Sequence, residues 1–302
     1  MESGNKQTPV RHLLAIKWIS LLAASAMLLG IVAFLAFYIS NASAASPEKA
    51  SEVAFHGVAE ADYQSKFTQF SNSGYQPTWV NAFNVGDQTY FNAIFHPADG
   101  TPWVARHNMT SDNYQSQFNF WVIQQKYRLT LVDSYLSHGQ ILYAAIFKKI
   151  AGPDDWNAHH GMKESDFVQD FNTQYKNGYV AVNISAVSLN GVRSYTALYQ
   201  KKDVGGLQAV VDMTPASYQA KSDANVAAGR HVAYVSAYTD ASGPHFNAIW
   251  YRDAPDGLAR HGLSGSDYQT YYDKERVQGF FTRAVAGYEA NGQAYYAAFW
   301  TK

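Results

Sequence analysis

The 302-residue chain contains no cysteine. Disulfides and thiolate metal sites are therefore excluded, and any folded part must be held by its core. Charge is also scarce: Asp, Glu, Lys and Arg make up 16% of the residues, and the net charge is −1. Lys6, Arg11 and Lys17 against Glu2 give the first 44 residues +2, so the remainder carries −3. A mildly acidic body argues against nucleic acid as a partner, because that partner needs a basic face. The familiar catalytic signatures are missing too. HExxH, GxSxG, GxGxxG and the P-loop do not occur, so no zinc, nucleophile-elbow or nucleotide chemistry is written in the usual form. Ser-x-x-Lys occurs only at Ser3–Lys6 and Ser46–Lys49. Both lie outside the packed context that an activated serine needs. No cofactor and no metal site is expected.

What is present is repetition. Ala259 to Trp300 reads ARHGLSGSDYQTYYDKERVQGFFTRAVAGYEANGQAYYAAFW, and four similar stretches precede it. The pivotal aromatics are Tyr63, Tyr114, Phe167, Tyr218 and Tyr268, spaced 51, 53, 51 and 50 residues apart. A fixed period of this size means one supersecondary unit stacked on copies of itself. Each copy opens on a helix start, clearest at Thr214-Pro215, where Thr is an N-cap and Pro takes the first helical position. Thr110 and Ser264 hold the same place. Helices are expected over Ser111 to about Gln125 and over Ser266 to Gln278, ended in several copies by Gly-aromatic pairs such as Gly74-Tyr75 and Gly279-Phe280.

A strand follows, with β-branched Val80, Val132, Ile184, Val235 and Val285 at one position. Small Ala82, Ser134, Ala186, Ala237 and Gly287 come two residues later. The small residues suggest a helix lying close over the sheet. Turns such as Asn190-Gly191 and Asn291-Gly292 then lead to a second strand, whose central alanine recurs as Ala93, Ala145, Ala197, Ala248 and Ala298. A short Trp-x-Ala-Arg-His strand is a candidate for closing each linker.

The fold class expected is an α+β repeat protein. Five helix-strand-strand repeats of about 50 residues would form a closed or strongly curved antiparallel β array, about ten strands with helices on one face. The repeats run about 54–103, 104–156, 157–208, 209–257 and 258–302. Lack of a capping repeat favours a ring, because open solenoids need polar ends.

Trp18 to Ile39 carries no charge over 22 residues, enough to span a bilayer core as a helix. Lys6, Arg11 and Lys17 before it place the amino terminus inside. The expected order is a cytoplasmic tail (1–17), a transmembrane helix or signal sequence (18–39), a stalk (40–53) and an extracytoplasmic repeat domain (54–302). The alternative is secretion after cleavage near Ala44, at the Ala42-Ser43-Ala44 site.

The recurring Ala-Arg-His element is the candidate site. His56, His107, His160 and His261 align, with Val211 in the fourth copy. Arg106 and Arg260 precede two of them, and Trp103 and Trp156 lie in the adjoining linkers. If the array closes, these residues form a polar rim able to bind an anionic or glycan ligand. The competing reading is that each histidine bonds within its own linker. Asp62, Asp112, Asp166 and Asp267 fall in first helical turns, where the helix dipole favours them.

The pattern W-x-A-R-H-x-M/L-S/T-x-x-D/N-Y, then G-Y/F and Y/F-x-A-I/F-F/W, resembles the structural repeat of the polyglycine hydrolase-like proteins, or bacterial tandem repeat. Trp103 to Tyr114 and Ala259 to Tyr268 carry it best, and it covers about residues 54–302. The resemblance implies a non-catalytic repeat domain, often joined in that family to a serine-hydrolase domain of β-lactamase type. No such domain is visible here, and no catalytic residue carries over.

The function expected is a membrane-anchored binding or scaffolding module at the cell surface. It would hold a cell-envelope polymer, a peptide or a protein. The alternatives are a peptide or glycan hydrolase with a His/Arg rim site, and an oligomeric surface subunit.

Overall fold

A computed structural model describes residues 50–153 and 155–302. The apolar run Trp18–Ile39 lies outside the described residues. Among those described, no helix is long and apolar enough to cross a membrane.

Each repeat is a three-stranded antiparallel sheet with one helix. The first strands are β1 (Val53–Ala59), β4 (Trp103–Met109), β7 (Trp156–Met162), β10 (Leu207–Met213) and β13 (Gly257–Leu263). The helices are α1 (Glu60–Asn72), α2 (Ser111–Phe118), α3 (Glu164–Lys176), α4 (Pro215–Ala227) and α5 (Gly265–Val277). The inner strands are β2 (Tyr75–Val85), β5 (Arg128–Ser137), β8 (Tyr179–Leu189), β11 (His231–Asp240) and β14 (Phe281–Ala290). The return strands are β3 (Gln88–Pro97), β6 (Gln140–Lys148), β9 (Val192–Lys201), β12 (Gly243–Tyr251) and β15 (Gln293–Thr301). In every sheet the return strand is central, flanked by the first strand and the inner strand.

The single β array expected from the sequence is therefore replaced, among the described residues, by five separate sheets with fifteen strands. The reason is the Trp-x-Ala-Arg-His strand. It occupies the second edge of its own return strand, so that strand has no edge left for a neighbouring repeat.

Local signals act as read. Thr110, Thr214 and Ser264 accept from the backbone N–H three residues on, and acidic residues sit in the first turns of α1, α2, α3 and α5. Asn190-Gly191 and Asn291-Gly292 both adopt positive φ, as the primed hairpin turn demands. The hairpin register pairs Val80 with Ala93, Val132 with Ala145, Ile184 with Ala197, Val235 with Ala248 and Val285 with Ala298. Each pivotal helix aromatic then lies over the return strand. Tyr63 stacks on Phe91 with centroids 4.1 Å apart, Phe167 on Tyr195 at 4.8 Å and Tyr218 on Phe246 at 5.0 Å.

Repeat 2 departs from the others. Its helix stops at Phe118 and continues as a π-helical turn, Asn119–Gln124, where the sequence suggests uninterrupted α-helix to about Gln125. This is the repeat whose pivotal aromatic stands 53 residues before the next one; extra residues in a helix are commonly absorbed as a π-bulge.

The five sheets form a ring through their inner strands. Asn81 and the Ala82 N–H donate to Asp133, and Val132 N–H donates to Asn183 Oδ1. Ser236 donates to Ile184 O, and Thr239 donates to Glu289 O. The last repeat meets the first through Trp79 Nε1, 2.8 Å from Val285 O, and Gly287 N, 2.9 Å from Asn81 Oδ1. Glu52 adds a second clasp: its carboxylate accepts from Thr282 N and Oγ1 at 2.9 and 2.8 Å. Closure is thus made by side chains, with no backbone ladder between sheets.

The small residues of the inner strands have a different use from the one expected. They leave room for an aromatic of the following repeat rather than for their own helix alone. A Cβ on Gly287 would come 2.2 Å from the Phe83 ring. Tyr135 sits edge-on to Phe91, the partner of Ala82, and Tyr288 edge-on to Phe246, the partner of Ala237.

Candidate functional site

Two regions qualify: the histidine series, and the axis on which the inner strands converge.

The histidines end the regular part of each first strand. Just beyond them the register slips, and the next residue takes positive φ at Gly57, Asn108, Gly161, Asp212 and Gly262. This bulge aims each imidazole away from its own repeat and onto the preceding one. His107 is edge-on to Tyr63 at 4.7 Å and to Phe91 at 5.6 Å. His160 meets Tyr114 and Tyr143, and His261 meets Tyr218 and Phe246. His56 continues the cycle onto Tyr268 and Tyr296 of the last repeat. The bonds run the same way: His160 Nε2 lies 3.1 Å from Ser111 Oγ, and His261 Nε2 lies 2.9 Å from Gln219 Oε1. The competing linker reading therefore has the wrong partner, because these contacts are made between repeats.

Burial holds His56, His107, His160 and His261 below the usual histidine pKa, so at neutral pH the series is uncharged. The arginines turn onto their own helices. The Arg106 guanidinium is 5.7 Å from the Trp121 ring centroid, and that of Arg260 is 4.1 Å from Tyr271. Trp103 packs edge-on to Phe67 and Trp156 to Phe118, each across a repeat boundary.

The structure groups Trp103, Arg106 and His107 along one cleft of about 470 Å³ between repeats 1 and 2. Trp156 lines another, of about 560 Å³, between repeats 2 and 3. The remaining candidates are dispersed around the ring, each at its own boundary. Among the described residues no group of His, Asp or Glu is placed to hold a metal ion.

The axis was not read from the sequence. At the hairpin end of the inner strands lies a pocket of about 290 Å³ to which all five repeats contribute. A pocket lined by equivalent positions of five cyclic repeats must sit on their common axis. Its wall includes Tyr135, Tyr238 and Tyr288, and its mouth includes Asn84, Leu136, Ser188, Thr239 and Glu289. These mouth residues occupy one aligned position and are five different residue types. Other aligned positions of these strands diverge as fully, for example Val85, Ser137, Leu189, Asp240 and Ala290, so divergence in the sequence did not single out this pocket.

Deeper along the inner strands, Asp133 is wholly buried. It accepts from Ala82 N, Asn81 Nδ2 and Ser185 Oγ at 2.8, 3.1 and 2.8 Å, joining repeats 1, 2 and 3. Burial pushes its carboxyl up to about 7 against these donors.

A second polar cluster spans repeats 3 and 4. Arg193 pairs with Asp240 at 3.2 Å and approaches Asp212 at 3.7 Å, and Asp212 accepts from the hydroxyls of Tyr195 and Tyr238. Ser242, His245 and Asp240 adjoin it. Ser242 Oγ and Asp240 Oδ1 both lie 2.9 Å from the same imidazole nitrogen, His245 Nε2. A relay needs hydroxyl and carboxylate on opposite nitrogens, so this trio is a turn support rather than a nucleophilic triad.

The family profile of the polyglycine hydrolase-like structural repeat matches residues 49–98, 100–150, 153–202, 205–253 and 254–302. No curated protein matches the chain.

Proposed function

Because the chain belongs to the polyglycine hydrolase-like structural-repeat family, and its repeats converge on a shared axial pocket, we propose that it is a non-catalytic repeat module that binds a ligand on that axis. The observation that carries this reading is the pocket itself, a space of about 290 Å³ to which all five repeats contribute. The charge-free run from Trp18 to Ile39, preceded by Lys6, Arg11 and Lys17, supports display outside the cell on a membrane anchor. The ligand would be a cell-envelope polymer, a peptide or a protein chain end.

The hydrolase reading is less well supported. Neutral histidines turned edge-on into aromatic pairs are poor general bases and poor anion ligands. The cleft holding Trp103, Arg106 and His107 is the surface on which that reading would stand.

The test is capture of cell-envelope and secreted-polymer fractions by the full-length protein in detergent, compared with Ala186→Leu, which narrows the pocket. Specific retention by the parent and loss in the variant at an unchanged thermal midpoint supports the axial site. Retention unchanged by Ala186→Leu removes the pocket from the function. Turnover abolished by changing His107, His160 and His261 establishes an enzyme instead.

A further inference from the structure

We infer that the axial pocket accepts a primary ammonium group, an inference that rests on the axis being the binding site. The chemistry of the lining leads to this ligand. Among the described residues no Lys, Arg or His lines the pocket, while Glu289 and Asp240 both do. Glu289 Oε2 accepts from Gly86 N at 2.9 Å, and Glu289 Oε1 carries no bond. Asp240 is already neutralised by Arg193 from outside the pocket, so the unbalanced charge is that of Glu289. A group that balances this charge must bring a positive one; a carboxylate or phosphate would meet the like charge of Glu289.

The aromatic wall bounds the same pocket. The hydroxyls of Tyr135, Tyr238 and Tyr288 are engaged away from the axis. Tyr135 bonds Asn108, Tyr238 bonds Asp212, and Tyr288 accepts from Gly262 N. Their rings are almost wholly buried, so they give the pocket a closed apolar wall. At about 290 Å³ the space lies at the small end of ligand sites, which run from about 300 to 1,000 Å³. It suits the end of a chain rather than its middle. A peptide amino terminus, a lysine side chain and an amino sugar share this chemistry.

Titration calorimetry on the full-length protein in detergent separates these sources. The probes are triglycine and N-acetyltriglycine, Nα-acetyl-lysine amide and its Nε-acetyl form, and glucosamine trimer with its N-acetylated counterpart. At least one free-amine probe is expected to bind, and its acetylated partner to bind at least tenfold more weakly. Glu289→Gln keeps an acceptor for Gly86 N and is expected to weaken binding at least tenfold without lowering the thermal midpoint. Asn84→Asp adds a carboxylate at the mouth and is expected to tighten it. Equal binding of acetylated probes, an unchanged Glu289→Gln, or no binding by any free amine overturns the inference. If an acetylated probe binds and Ala186→Leu abolishes its binding, the axial site stands and only the ammonium assignment falls.

Discussion

The rim and the axis of the ring are built from the same five repeats and use repetition in opposite ways. At the rim the same residue recurs, histidine in four copies and valine in the fourth, and each of the four histidines makes the same contact with the preceding repeat. At the axial mouth Asn84, Leu136, Ser188, Thr239 and Glu289 share a position and nothing else. In a cyclic repeat protein, an interface made five times is served by one residue type, whereas an axis made once must be asymmetric to recognise an asymmetric ligand. Recurrence marks the architecture here, and convergence of all five repeats marks the candidate site.

The comparison can be broken most forcefully at the rim. Tyr268 stacks with Trp300 and receives His56 from the first repeat. Tyr268→Ala is expected to cost about 3–5 kcal/mol in chemical denaturation, as for other large buried aromatics. Gly287→Val forces a side chain into the Phe83 ring and is expected to cost about 1–3 kcal/mol by overpacking. Trp79→Phe removes the bond to Val285 O and is expected to cost about 1–2 kcal/mol, the range for leaving a buried acceptor unpaired. The smallest effect falls on the histidines themselves. His107→Val reproduces the residue found at Val211 and is expected to change stability by less than about 1 kcal/mol. If His107→Val, His160→Val and His261→Val together leave ligand capture intact, the rim is structural. Loss of capture with an unchanged thermal midpoint would restore the rim as a site.

Acidity sharpens the same contrast. Burial raises the carboxyls of Glu52 and Asp133 to about 7, so the folded protein holds their protons more tightly than the unfolded chain. Their contribution to stability is full below the ordinary carboxylate range and is lost as pH rises through about 7. The rim histidines are shifted the other way, and their contribution is lost as pH falls below about 6.5. Thermal midpoints measured from pH 5 to 8 should show Glu52→Gln flattening the alkaline decline and the histidine-to-valine changes flattening the acid one. Parallel curves for Glu52→Gln and the parent would show that Glu52 does not bind a proton in this range.

Much of this fold was legible in the sequence. The period, the N-caps at Thr110, Thr214 and Ser264, the hairpin turns and the alanine register all act locally, within one repeat, and local rules find them. What was not legible acts between repeats. Nothing within repeat 1 says that Phe83 will rest on Gly287, or that His107 will lie against Tyr63 rather than its own linker. The pairing of the Trp-x-Ala-Arg-His strand with its own return strand is likewise a choice among edges, and it turned one expected array into five sheets. The π-helical turn of repeat 2 was signalled only by spacing, since Tyr114 and Phe167 stand 53 residues apart where the other gaps are 50 or 51.

The clasp between Glu52 and Thr282 has a mechanical consequence. Glu52 stands one residue before β1, and its side chain is fastened to β14 in the last repeat. Force arriving from the amino-terminal side would therefore reach the first and last repeats together and load the ring across its seam, instead of peeling repeat 1 away from repeat 2. Glu52 is the first link of that seam to take the load; behind it stand the Trp79–Val285 and Gly287–Asn81 bonds, and only when these part too does the circle open into a line of five.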